Sequence, residues 1–230
     1  MRIVLMLFVF ILGQNAAAHA DQRVVALANG HHLVIVRPEA EMPAGVVLLI
    51  PGGSTLLTLG ANGDTDSGNF VIRTRRQLLY AGYAIAYMDN PADLSEAIQK
   101  LREVGKPVVL LSTSRGTIVA VSNTAHLGAA GPDLLILTSP VTNGSGIEPR
   151  DLPRVMIPTL VIANTQDTCV ASPPARAAQL AMHIKSATYM TFSSNDLRVD
   201  PCEPFSPHGY LGIEVDVLGK IVEWIKSHSP

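Results

Sequence analysis

The sequence of 230 residues predicts an α/β fold, in which a doubly wound, mostly parallel sheet begins with an N-terminal antiparallel hairpin and has helices on both faces. Two observations support this fold class. Short, continuous apolar runs bounded by Gly, Pro or Asn are typical of central strands that are buried on both faces. Segments with helical periodicity lie between these runs, and an alternation of strands and helices favours a doubly wound sheet.

The elements follow in order along the chain. A hairpin is expected first, because residues 23–27 and 31–36 flank the turn pair Asn29-Gly30. Parallel strands are then expected at residues 46–50, 83–88, 108–111, 134–137, 159–163 and 188–192. Helices are expected at residues 70–80, 94–104, 117–127, 174–185 and 213–226.

The first twenty residues predict an export signal. Met1-Arg2 provides a short positive start, residues 3–12 are an unbroken apolar run, and Ala18-His19-Ala20 suits signal peptidase. A membrane-spanning helix needs about 20 apolar residues, so a stable membrane anchor is not expected. We therefore expect a signal peptide over residues 1–20, cleaved after Ala20, and a single periplasmic or secreted domain over residues 21–230.

Composition and charge exclude some classes of protein. Seventeen Lys and Arg residues against nineteen Asp and Glu residues give a net charge of −2. Nonspecific nucleic-acid binding needs a surplus of basic residues, so no nucleic-acid partner is expected. The local cluster Arg73-Thr74-Arg75-Arg76 is interpreted as a solvated helix face.

The sequence gives no indication of the oligomeric state.

A serine lies where the strand at residues 108–111 meets the next helix. The order is Ser112-Thr113-Ser114-Arg115-Gly116. A nucleophilic serine on a strained strand-to-helix turn needs small residues two positions before and two positions after it, so that strand and helix can pass closely. Ser114 is therefore the candidate nucleophile. The helix behind it would direct the Arg115 N–H at a developing oxyanion.

A second oxyanion donor is expected after an earlier strand. Pro51-Gly52-Gly53-Ser54 follows the strand at residues 46–50, and paired glycines let the backbone approach a substrate oxygen. Gly53 is the predicted donor and Ser54 is the alternative.

An acid and a base are expected later in the chain, in that order. Asp167 follows the strand at residues 159–163, and Asp196 and Asp200 are alternatives in the next loop. His208 lies in the loop before the last helix, which is the position expected for the base.

The two cysteines, Cys169 and Cys202, predict a disulfide in an exported protein. Such a bond would connect the loop of Asp167 to the loop of His208. One alternative is a metal site formed by Cys169, Cys202, Asp167 and His208, and another is a cysteine nucleophile. The sequence has no C-x-x-C or paired-His spacing, and neither cysteine follows a strand at an elbow, so neither alternative is supported.

These motifs resemble the α/β-hydrolase superfamily, in particular its small exported bacterial members, over nearly the whole chain after residue 20. The resemblance implies a hydrolase with a Ser-Asp-His triad, and dienelactone-hydrolase-like enzymes and small carboxylesterases look most similar. Dienelactone hydrolases have Cys at the elbow, whereas this chain has Ser114. Only residues 140–157 occupy the place of a helical cap, so an uncapped site formed by residues 54–69 and 193–207 is expected.

The expected activity is hydrolysis of a small-molecule carboxylic ester through an acyl-enzyme, with no cofactor and no metal. A peptidase or amidase would use the same triad, so the sequence does not separate ester from amide substrates. A binding protein without catalytic activity on the same scaffold is the alternative from another class, because a fold does not determine function.

Overall fold

The computed structural model describes residues 21–39, 42–194 and 200–229. Within these ranges eight strands form one sheet. They are β1 Asp21–Ala26, β2 His32–Arg37, β3 Val46–Ile50, β4 Ala84–Met88, β5 Val108–Thr113, β6 Leu134–Thr138, β7 Thr159–Asn164 and β8 Ala187–Phe192. Their order in the sheet is β1-β2-β4-β3-β5-β6-β7-β8. The signal-peptide prediction and Asp196 lie outside the described residues.

The sheet is parallel except at its N-terminal hairpin. Strand β2 pairs antiparallel with both β1 and β4, whereas β4, β3, β5, β6, β7 and β8 run parallel to one another. All side chains of β3, β4, β5, β6 and β7 are buried. The predicted fold class is confirmed, because continuous apolar strands are buried by helices on both faces.

Six α-helices in the described part of the chain cover the sheet. They are α1 Phe70–Arg73, α2 Arg75–Tyr80, α3 Leu94–Leu101, α4 Gly116–Leu127, α5 Pro174–Met182 and α6 Glu214–His228. Side chains of α3, α4 and α5 pack with Leu48 and Ile50 in the core on one face. Side chains of α1, α2 and α6 pack with Val47 and Leu49 on the other face. Alternate residues of β3 thus belong to two separate cores.

The helix predicted at residues 70–80 is divided at Thr74. The Thr74 hydroxyl donates a hydrogen bond to the Phe70 carbonyl at 2.6 Å, and the Thr74 backbone has φ −96° and ψ 0°. A threonine that bonds to the carbonyl four residues earlier competes with the helical ladder. The segment therefore forms two short helices.

Among the residues that the structure describes, no helical cap covers the carboxyl ends of the strands. Residues 139–158, all described, contain one short 3₁₀ turn at Leu152–Arg154. Within the described ranges, no helix has the length and apolar character needed to cross a membrane.

Candidate active site

Ser114 occupies a strained turn between β5 and α4. Its φ is +50°, in the left-handed region that L-residues other than glycine seldom adopt. The turn also brings backbones close together, because a Cβ on Gly116 would lie 2.7 Å from the Ile50 carbonyl oxygen and closer still to that of Pro51. A Cβ on Gly52 would lie 2.8 Å from the Ser114 Cβ. Ser114 is partly exposed at this turn.

Ser112 stands two residues before Ser114, at a position where glycine is common. Its side chain is fully buried, and its hydroxyl donates a hydrogen bond to the Ile136 carbonyl on the neighbouring strand at 3.2 Å. The extra hydroxymethyl group therefore fits between β5 and β6 and does not obstruct the turn.

The structure places Asp167 and His208 in direct contact. Asp167 lies just beyond β7, and His208 lies in a 3₁₀ turn, Pro207–Gly209. The His208 Nδ1 is 2.8 Å from the Asp167 Oδ2, and both side chains are buried. The Cys169 backbone N–H donates to the other carboxylate oxygen at 2.8 Å. Asp167 is thereby fixed in orientation, and we assign the Nδ1–H tautomer to His208 from this network.

The alternative acid Asp200 has a different environment. Its carboxylate accepts a hydrogen bond from the Cys202 backbone N–H at 2.9 Å, and the residue is exposed. Of the candidate acids in the described ranges, Asp167 is therefore the one in contact with His208.

Two clefts meet at Ser114. The smaller cleft, of about 320 Å³, is lined by Ser114, His208 and Asn69 among others. The larger cleft, of about 610 Å³, is lined by Ser114, Arg115 and Ile118 among others. The His208 Nε2 is buried and has no hydrogen-bond partner among the described residues. His208 and Ser114 line the same cleft.

The turn that carries His208 is held by neighbouring strands. The Ser139 hydroxyl, just after β6, donates to the His208 carbonyl at 2.8 Å. The Asn164 side chain, at the end of β7, donates to the Pro207 carbonyl at 2.9 Å. Sequence reasoning missed both residues, although a buried polar side chain at a strand's carboxyl end is a usable signal.

Arg73, in α1, also holds this turn. Its guanidinium donates to the Gly209 carbonyl at 2.7 Å and to the Glu214 carboxylate at 2.9 Å. It also donates to the Gly68 carbonyl at 3.0 Å. The interpretation of Arg73-Thr74-Arg75-Arg76 as a solvated face is therefore wrong for Arg73, whose side chain is 16% exposed.

Tyr210 holds Ser139, the residue that bonds to the His208 carbonyl. Its hydroxyl accepts a hydrogen bond from the Ser139 N–H and donates one to the Ile162 carbonyl, each at 3.0 Å. Complete burial raises the pKa of the Tyr210 hydroxyl well above its ordinary value, and the nearby Asp167 charge adds to the increase, although hydrogen bonds from Ser139 oppose it. The hydroxyl therefore remains a donor at neutral pH.

Two backbone N–H groups are free beside Ser114. Residues 52–55 form a turn closed by a hydrogen bond from the Thr55 N–H to the Gly52 carbonyl at 3.1 Å, with Gly53 at φ +67°. Neither the Gly53 N–H nor the Arg115 N–H donates to another described residue. Gly53 lines both clefts, whereas the alternative donor Ser54 lines the smaller one.

The structure contains the Cys169–Cys202 disulfide, with the two Cα atoms 4.7 Å apart. The bond connects the loop of Asp167 to the loop before His208. Potential ligand atoms of Asp167, Cys169 and His208 lie within 4.8 Å of one another. The Cys169 sulfur is bonded to Cys202 and offers no thiolate, so these residues do not fit a metal site.

The sheet order, the serine turn and the helices on both faces define an α/β-hydrolase fold. No protein-family model and no curated protein matches the sequence. Several solved structures match at low identity, which establishes similarity of fold.

Three of these structures illustrate the match. Dienelactone hydrolase from Anabaena variabilis has a TM-score of 0.64 at 16% identity, over 93% of this chain and 100% of that one. A thermostable carboxyl esterase from Bacillus coagulans has a TM-score of 0.62 at 12% identity, over 92% and 99%. A cold-adapted esterase from an Arctic intertidal metagenomic library has a TM-score of 0.62 at 14% identity, over 91% and 93%.

Proposed function

We propose that the protein is a serine hydrolase that cleaves carboxylic esters, with Ser114 as nucleophile, His208 as base and Asp167 as the acid that orients the base. The main observation in support is the buried Asp167–His208 pair, 2.8 Å apart, beside a serine in a left-handed turn. The buried His208 Nε2 has no partner among the described residues, and His208 and Ser114 line the same cleft. A protein that only binds a ligand has no need of this combination.

In the proposed reaction, the His208 Nε2 accepts the Ser114 proton as Oγ attacks the ester carbonyl carbon. The Gly53 and Arg115 N–H groups donate to the oxyanion. The carbon–oxygen bond to the alcohol then breaks, and the Nε2 proton passes to the alcohol oxygen. Water, activated by the same base, hydrolyses the acyl-enzyme.

Two further features bear on this proposal. The His208 Nε2 makes no hydrogen bond to Ser114 in this structure, and such contacts often tighten only when substrate binds. The similar solved structures include proteins titled esterases, and a serine at the elbow favours ester chemistry over that of dienelactone hydrolases, which have cysteine there.

The proposal includes export, and Asp21 is then the first residue of the mature protein. The apolar run at residues 3–12 and the Ala18-His19-Ala20 sequence support a cleaved signal. The disulfide is consistent with an oxidising compartment.

Fluorophosphonate labelling tests the proposal. Protein recovered from the periplasm or medium of an expressing bacterium should start at Asp21 by mass and should label at Ser114. Ser114→Ala should abolish labelling and lower turnover of nitrophenyl esters about 10⁴- to 10⁶-fold. Ser122→Ala, in α4, is the matched control and should label normally.

Three results would contradict parts of this proposal. An unlabelled wild-type protein would refute the serine-hydrolase assignment, and unchanged labelling of Ser114→Ala would refute the nucleophile. Faster turnover of peptide anilides than of nitrophenyl esters across a range of acyl chains would replace the esterase with a peptidase or amidase.

A further inference from the structure

The two clefts at Ser114 differ in which catalytic group they contain. His208 lines the smaller cleft and not the larger one, whereas Arg115 lines the larger cleft and not the smaller one. This step rests on the proposed function: the base that takes the serine proton must return it to the leaving alcohol oxygen. The alcohol half of an ester therefore belongs in the smaller cleft, beside the imidazole.

The lining of the smaller cleft is rich in polar groups. Its described side chains include hydroxyl, amide and carboxylate groups, contributed by Ser54, Ser67, Asn69, Thr113 and Glu203. The larger cleft includes the aliphatic side chains of Ile118, Val141 and Ala171, which suit an acyl chain. Leu56 and Phe70 also line the smaller cleft, and Arg115, Asn143 and Ser145 also line the larger one, so the two clefts differ in the proportion of polar groups.

Asn69 has unused hydrogen-bonding capacity in the smaller cleft. Its Oδ1 is buried and has no partner among the described residues. Its Nδ2 lies 3.3 Å from the point where a Cβ on Gly52 would stand, and Ser114 Cβ lies 2.8 Å from the same point. The Asn69 carboxamide is therefore next to the nucleophile. The enclosed Oδ1 is out of reach of a bound group, so the Nδ2, beside Gly52 in the lining of the cleft, is the atom of this carboxamide that a bound group can meet.

We propose that the smaller cleft binds a hydroxylated alcohol and that Asn69 is the residue that recognises it. A hydroxyl oxygen accepts hydrogen bonds, so an alcohol hydroxyl can pair with the Asn69 Nδ2. The substrate class is then esters of polyols or sugars, with the acyl group in the larger cleft. Alkyl alcohols of the same size leave the Asn69 amide unpaired and are the poorer substrates.

The experiment compares two esters that share one acyl group, chosen as the fastest in the nitrophenyl panel. One is the glycerol monoester and the other is the propyl ester, which differ only in hydroxyl groups. Wild-type kcat/KM should favour the glycerol ester by about tenfold, the effect of a typical hydrogen bond. Asn69→Ala should bring the ratio close to one, mainly by slowing the glycerol ester.

Two further variants test whether Asn69 acts through a hydrogen bond or only by filling space. Asn69→Asp keeps the size of the side chain but removes the N–H donor, so it should also lose most of the preference. If the carboxamide acted only by filling space, Asn69→Asp would keep the preference. Asn123→Ala, whose side chain bonds to the Val119 carbonyl within α4, should keep the wild-type ratio.

The outcomes distinguish this inference from the proposed function. Equal rates on both esters, or a preference that survives in Asn69→Ala, overturn the inference and leave the esterase intact. If wild-type protein hydrolyses no nitrophenyl ester, the proposed function fails and this inference fails with it.

Discussion

Gly116 lies directly against the backbone at the end of β3. Because a Cβ there would lie 2.7 Å from the Ile50 carbonyl oxygen, Gly116→Ala forces α4 away from the sheet. We expect this variant to lose about 3 kcal/mol or more of unfolding free energy. Fluorophosphonate labelling of Ser114 should fall as well, because the turn geometry depends on the same close approach. Urea unfolding and a labelling time course measure the two effects.

Gly219 provides the matched control. It is an exposed residue of α6, and a Cβ there meets nothing within 4 Å. Gly219→Ala should raise the unfolding free energy by about 0.5–1 kcal/mol, because glycine is unfavourable in a helix interior. If Gly116→Ala and Gly219→Ala had similar unfolding free energies, the close packing of Gly116 would not contribute to stability as expected.

Individual residues differ in how well the sequence predicts their roles. Ser114, Asp167 and His208 could be proposed because their types and chain order match a known chemistry. Arg73 could not, because its partners Gly209 and Glu214 are more than 130 residues away in sequence. A role that depends on long-range contacts becomes visible only when the fold brings the partners together.

At the scale of elements, the disulfide connects two loops that carry different members of the site. Cys169 and Cys202 are 33 residues apart, and closing a loop of this length stabilises a protein by about 3 to 4 kcal/mol. We expect the double variant Cys169→Ser/Cys202→Ser to lose that amount in urea unfolding. Its kcat should fall by less than about tenfold, equivalent to about 1.4 kcal/mol, because Ser139 and Asn164 still hold the His208 turn.

The control measures urea unfolding of the wild-type protein and of the double variant, each with and without reductant. Reductant should destabilise the wild-type protein by the same amount and should not affect the double variant. A double variant as stable as wild type would show that the bond does not stabilise the fold.

The elements themselves show what patterns can and cannot predict. Each predicted strand agrees with the observed one to within two residues, because apolar runs between Gly, Pro and Asn mark buried strands clearly. The division at Thr74 was not predicted, because periodicity places a residue on a face but does not reveal a side-chain bond to the backbone. The sequence also did not predict that β4 lies between β2 and β3, because strand order depends on pairing across the sheet.

At the scale of the whole molecule, tyrosines that folding removes wholly or partly from water lower the stability of the protein in alkali. Burial raises the pKa values of Tyr83, Tyr87, Tyr189 and Tyr210 above about 10, where tyrosines titrate in an unfolded chain. Above that pH the unfolded chain loses protons that the folded protein retains. Ionisation of these hydroxyls should therefore not change the unfolding free energy below about pH 10 and should lower it as pH rises further.

Tyr210→Phe tests this expectation, because it removes the most deeply buried of these hydroxyls. At neutral pH the variant should be about 1–3 kcal/mol less stable, since the Ser139 N–H loses its acceptor. Between about pH 9 and pH 11 its stability should decline less steeply than that of wild type. Tyr80→Phe, at a side chain 85% exposed, should follow the wild-type curve. Identical slopes for all three proteins would refute the role of Tyr210.

The path of β1 has a practical consequence. Strand β1 is the outer strand of the sheet, and β2, β4 and β3 separate it from β5. Because β2 runs antiparallel to both β1 and β4, Asp21 lies at the edge of the sheet opposite the carboxyl ends where Ser114 and Asp167 are found. A linker joined to Asp21 could therefore tether the protein to a solid support with both clefts facing free solution.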